Sequence, residues 1–71
     1  MKPHHIVVWL AKDGWHWHAV ARNGRILSDS GEGYGRRGTA LKYLEIVTDA
    51  KRRGIPVWCT GASGEQVELT Y

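Results

Sequence analysis

The chain predicts an α+β fold: a three-stranded antiparallel meander with one helix packed on one face (βββα), followed by a short C-terminal β-hairpin. Three observations predict it. Asp13-Gly14 and Asn23-Gly24 interrupt runs rich in Val, Ile and Trp, an apolar stripe at helical spacing begins near Thr39, and two short alternating stretches follow Gly54. Strands that precede a helix, with tight turns between them, lead to an antiparallel sheet with helical cover.

The first two strands run from His4 to Lys12 and from Trp15 to Arg22. Asp-Gly and Asn-Gly suit two-residue hairpin loops because both central residues of a type I′ turn take positive φ. Counting from such loops pairs Lys12 with Trp15, Leu10 with Trp17, Val8 with Ala19, Ile6 with Ala21, and Ala21 in turn with Ile26. That face is apolar almost throughout and is the one a helix should cover, with Leu44 and Val47 close over Ala19 and Ala21. The other face presents His5, Val7, Trp9 and Ala11, then His16, His18, Val20 and Arg22, then Leu27 and Asp29.

The third strand, RILSDS, ends at the glycines of SGEGYGRRG. From Thr39 to Arg53, Ala40, Leu41, Leu44, Val47 and Ala50 recur at spacings of three and four, one stripe of an amphipathic helix. Thr39 is expected as N-cap and Gly54 as C′ residue, while Pro56 prevents continuation. Beyond it, VWCT and EQVELTY flank a Gly61 to Gly64 turn and form the last hairpin, with Val67, Leu69 and Tyr71 toward one face. Where this pair of strands docks is not determined by pattern.

A chain of 71 residues is one domain, 1–71, with residues 54–71 as a strand extension. At this size a single core is marginal, and a metal, a disulfide or a second subunit often supplements it. The lone Cys59 excludes an internal disulfide, and no Cys/His spacing suits structural zinc, so oligomerisation is the expected supplement. The longest apolar run, Ile6 to Ala11, is too short for a signal-peptide core or a membrane span, so a cytoplasmic protein without membrane contact is expected. The formal charge of +3 permits an anionic partner without requiring one.

Nothing in the chain obviously covers the second sheet face. Three readings compete for it: homodimerisation, a binding platform for a peptide, nucleic acid or small molecule, and partial cover by the C-terminal hairpin. The residues expected to make an interface or bind a partner there are Val7, Trp9, His16, His18, Val20 and Leu27. His16 and His18 share a side, with Asp29 across from His18, a set that could hold zinc or move a proton. Surface histidines are the plainer reading, so no metal or cofactor is assigned. Cys59 reads as a small hydrophobe, and no local motif suggests a Ser, His and acid triad.

The six residues GYGRRG, Gly33 to Gly38, spell a dinucleotide-binding pattern. Such a loop needs a preceding parallel strand and a ribose-binding acid at the end of the next strand, and this chain has a meander before it and VWCT after it. The glycines therefore read as a strand-to-helix swing, with Tyr34 against the sheet edge and Gly38 clearing space for the cap. Lys51, Arg52 and Arg53 suit a helix C-terminus, whereas Arg36 and Arg37 stand at an N-terminus, where they oppose the dipole and could bind an anion such as phosphate.

Trp17, Asn23-Gly24, Ile26-Leu27, Ser30, Gly33-Tyr34, Arg37, Ala40, Leu44 and Val47 form an ordered set that resembles the YegP-like family of small bacterial domains of unknown function. The likeness covers Val8 to Ala50 and implies a βββα core, frequent dimerisation and no established catalytic activity. Tyr43 stands where members often have Gly, and nothing after Gly54 matches. The expected function is a non-enzymatic, homodimeric interaction module, bacterial or phage in origin, binding a protein partner through the open face or the C-terminal strands. The alternative is nucleic-acid or phosphate binding through Arg36, Arg37 and the basic helix end, with Trp9 or Tyr34 stacking.

Overall fold

The computed structural model describes residues 2–71. Its elements in order are β1 (His5–Ala11), β2 (Gly14–Val20), β3 (Ile26–Asp29), α1 (Arg37–Thr48), α2 (Ala50–Arg53), β4 (Val57–Thr60) and β5 (Gln66–Glu68). The α+β class is as expected, but the strands form one five-stranded mixed sheet in the order β3-β2-β1-β4-β5, rather than a meander with a separate hairpin. β4 lies parallel to β1, pairing Ile6 with Val57, Val7 with Trp58 and Val8 with Cys59. A parallel neighbour needs a long crossover, and the segment carrying α1 supplies it.

Both hairpins differ in detail from the counted register. Ala11 pairs with Gly14, so Lys12 and Asp13 are the central turn residues, and Leu10 faces Trp15, Val8 faces Trp17 and Ile6 faces Ala19. The shift is two residues, which preserves the side each residue occupies and changes every partner. At the second turn the Gly24 amide donates to Ala21 O and the Ala21 amide to Arg25 O. Arg22, Asn23 and Gly24 thus form a three-residue loop, with Gly24 alone at positive φ. A bulge between Ala19 and Val20 follows from it: His18 still faces Asp29, but Val20 faces Ile26.

The core lies between the sheet and α1. Ile6, Val8, Trp17, Ala19 and Val57 from the sheet meet Ala40, Leu44, Ala50 and Ile55, all buried. The Trp17 indole contributes the most volume, and its Nε1–H is a buried donor without a partner among the described residues. Large aromatic burial outweighs one missing bond, which costs about 1–3 kcal/mol.

The helix differs from expectation at both ends. It begins at Arg37 with extended Arg36 as N-cap and no side-chain cap, so Thr39 lies within the first turn. Its buried stripe is Ala40, Leu44 and Thr48, while Val47 is 60% exposed and does not approach Ala19. Thr48 can be buried because its hydroxyl donates to Leu44 O at 2.6 Å. Asp49, at φ 55, then breaks the helix, and the Glu45 carboxylate accepts from the Lys51 amide at the start of α2. Gly54 closes α2 in the left-handed region, as its sequence position suggested.

The GYGRRG segment has a structural use on its first half. Tyr34 and Trp15 exchange two backbone hydrogen bonds, of 2.7 and 2.9 Å, which lays the loop along the end of β2. A Cβ on Gly33 would stand 2.2 Å from Asp13 O, so only glycine permits this crossing. Gly35 and Gly38 have open space around them and clear nothing. The Tyr34 ring stacks on Tyr43, with centroids 5.2 Å apart, and ties the loop to α1.

Gly33→Ala is expected to cost about 1–3 kcal/mol of stability because backbone must shift to admit the methyl. Gly35→Ala is expected to stay within about 0.5 kcal/mol of the parent. Urea denaturation of the two variants side by side checks both.

Candidate functional site

The pleat sends alternate residues of β1 to opposite sides, so covering one side with α1 leaves Val7 and Trp9 on the other. β1 is the middle strand, which puts these two at the centre of the open face. β2 contributes His16 opposite Trp9 and His18 opposite Val7. β4 contributes Trp58 opposite Val7 on the far side, flanked by Glu68 and near Gln66 of β5. Asp29, opposite His18, closes the β3 side.

The rings are packed together. Trp9 stacks on His16 at 5.5 Å with an interplanar angle of 16°, and lies 4.8 Å from His18 at 53°. His4 and His5 meet edge to face at 5.3 Å, so all four histidines lie along β1 and β2 or the segment leading into them. Between Trp9 and β4 runs an open cleft of about 730 Å³ lined by Val7, Trp9, His18, Cys59, Thr60 and Gln66. A smaller one of about 420 Å³ lies against Trp58, His4 and His5.

Electrostatics on this face are mixed. Partial burial pushes the His18 imidazole below its ordinary pKa, nearby His5 pushes it the same way, and Asp29 opposes both. His16 Nε2 lies 2.7 Å from Asp13 Oδ1, and that bond holds the Asp13 carboxyl below the usual carboxylate range. The hydrogen bond turns His16 toward Asp13. Among the described residues, no group of three or more His, Cys, Asp or Glu side chains is disposed to hold a metal ion, so His16, His18 and Asp29 do not form one.

Of the residues expected to make an interface, Val7, Trp9, His16 and His18 are gathered on the open face, half-buried. Val20 is 8% exposed and already covered, with the His4 amide donating to its carbonyl and Pro3 buried beside this end of the sheet. Leu27 is 40% exposed at the bulge on the edge strand, away from the centre. Trp58 was missed, since its side follows only from the docking of β4. Cys59 is a free, half-buried thiol whose Sγ lies 3.9 Å from Thr60 O.

Arg36 and Arg37 are exposed at the start of α1, in the helical layer, and among the described residues neither forms an ion pair. Lys51 lies over the Tyr71 ring at 4.5 Å, Arg52 pairs with Asp49, and Arg53 Nη1 donates to Thr48 O at 3.1 Å. The basic helix end is thus partly spent on capping and on holding Tyr71, beyond the end of β5. Tyr34, proposed for stacking, is already stacked on Tyr43. No helix is long and apolar enough to cross a membrane among the described residues. The chain matches no protein-family model, no curated protein and no solved structure.

The lowered His18 pKa has a signed consequence. The unfolded chain binds the extra proton first, so this contribution to stability is full above about pH 6.5 and is lost as pH falls through the folded value. Thermal midpoints are therefore expected to drop between about pH 7.5 and about pH 5.5, and His18→Gln is expected to flatten that drop. Differential scanning fluorimetry across the range, parent against variant, reads the difference.

Proposed function

We propose that the protein is an interaction module that pairs through its open sheet face, with a second copy of the chain as occupant. The single observation that carries this reading is the solvent-facing cluster of Trp9, Trp58, Val7, His16 and His18 on a sheet whose opposite side α1 already covers. Its layout suits a protein surface better than a nucleic acid. Aromatic and apolar groups lie in the centre, and Asp29, Glu68 and Gln66 form a polar rim, the anatomy of protein interfaces. Acids at that rim repel phosphates.

A two-fold pairing suits the charges as well. The face carries both histidines and acids, so a rotated copy can bring His5 or His18 toward Asp29 or Glu68 of its mate. The small core supplies the motive, since a 71-residue chain gains proportionally more from burying a further face than a large one does. Kinship with YegP-like domains belongs to the same proposal, supported by the ordered residues from Trp17 to Val47 and by the β1 to α1 order they occupy. A cytoplasmic setting completes it, and the pairing itself carries no chemistry.

Sedimentation velocity over a concentration series tests the pairing. The parent is expected to sediment as a dimer, and Trp9→Glu or Trp58→Glu to weaken association by at least about tenfold, as loss of a central aromatic does. A parent that remains monomeric at high concentration ends the homodimer reading. Retention on heparin that is lost with salt and in an Arg36→Ala, Arg37→Ala variant would move the reading to anion binding instead.

A further inference from the structure

Three side chains form a hydrogen-bonded line that no local motif announces. His16 Nε2 lies 2.7 Å from Asp13 Oδ1, and His16 Nδ1 lies 3.4 Å from Ser30 Oγ. An ionised carboxylate can only accept, so Asp13 takes the proton-bearing Nε2 and leaves the Nδ1 lone pair turned to Ser30. Ser30 Oγ accepts from the Trp17 amide at 3.4 Å, which leaves its own hydrogen for Nδ1. The Trp9 ring stacked on the imidazole holds the ring plane, and the Ser30 amide donates to Trp17 O at 2.9 Å and fixes the backbone.

Beside these groups opens a cleft of about 250 Å³, lined by Trp9, His16, His18, Asp29, Ser30 and Gly31. Gly31 follows the serine directly, and its amide makes no hydrogen bond among the described residues. Nucleophile, base and orienting acid in one line, with a free backbone amide at the next position, is the arrangement used for acyl transfer. The order of the two imidazole nitrogens is exchanged relative to the usual serine hydrolase, but the direction of proton flow is the same.

We propose that Ser30 is a nucleophile with His16 as its base and Asp13 orienting the ring, and that the cleft takes small, uncharged carboxylic esters. In acylation Ser30 Oγ bonds to the ester carbonyl carbon and its proton passes to His16 Nδ1. The bond from that carbon to the alcohol oxygen then breaks, and Nδ1 returns the proton to the leaving oxygen. In deacylation a water oxygen bonds to the acyl carbon with its proton going to Nδ1, the bond to Ser30 breaks, and Oγ recovers the proton as the carboxylic acid leaves. The cleft suits a short acyl chain, Trp9 offers a surface for an aromatic leaving group, and Asp29 on its lining, with Asp13 behind His16, disfavours anions. Trp9, His16 and His18 also belong to the face proposed for pairing, so the unpaired chain is the form expected to take the ester.

The test uses p-nitrophenyl acetate as substrate and a fluorophosphonate as probe, with the labelled residue located by mass spectrometry. Label is expected on Ser30, and Ser30→Ala and His16→Gln are each expected to lower turnover by about a hundredfold, the scale of a lost general base. No label on Ser30 together with unchanged turnover in Ser30→Ala overturns the proposal. Ser30→Cys gives a second reading that does not depend on turnover. Its alkylation by iodoacetamide is expected to have a midpoint below the ordinary thiol value of about 8.5, restored when His16→Gln is added. An ordinary midpoint in the single variant overturns it too. Sedimentation of the same samples keeps the outcomes apart, since a monomer that labels on Ser30 retains this inference while losing the homodimer.

Discussion

The parallel pairing of β4 with β1 is the constraint on which the rest of the fold depends. The Ile6 amide donates to Pro56 O at 2.9 Å and brings the two strands into register from Ile6 with Val57 onward. With β2 on its other side, β1 is hydrogen-bonded along both edges, and its residues become the centre of both faces. The crossover that a parallel neighbour requires carries α1 across the sheet, so Ile6 and Val8 are sealed at 0% exposure while Val7 and Trp9 stay half-open. One pairing therefore decides which residues make the core and which are left for chemistry or contact.

Much of this was legible in local pattern. Alternation identified the two sides of β1 and β2 correctly, because an error of two residues in register leaves parity intact. It could not identify partners: Asp13-Gly14 was read as the two central turn residues, whereas Gly14 is the first paired residue and Lys12 and Asp13 make the turn. In α1 the stripe was right at Ala40 and Leu44 and wrong at Val47. Thr48 takes the buried place instead by donating its hydroxyl to Leu44 O one turn back, and the left-handed Asp49 ends the helix directly after it.

The candidate site shows the same division. Trp9, His16 and His18 lie on strands whose pleat is local information, and they were placed correctly. Trp58 belongs to a strand whose facing depends on a pairing partner some fifty residues away in the chain, and no periodicity in VWCT encodes it. Ser30 reaches His16 only because its backbone bonds to Trp17 across the β2 and β3 pair, beyond the bulge. Contacts made by the fold as a whole, rather than by any one element, supply the residues that pattern could not supply.

The crossing of Gly33 over Asp13 also bears on how this chain can vary in length. The Lys12-Asp13 turn is clamped from outside by a backbone that approaches within a methyl's breadth, so neither that turn nor the loop above it has room for an inserted residue. A methyl added at Gly24 or Gly64 would meet no atom within 4 Å, so these turns project into open space. Of the hairpin turns, the one at the β3 edge and the one at the β5 edge are therefore the places where an added residue meets no neighbouring backbone. The end of the molecule nearest His16 is held to a single loop length.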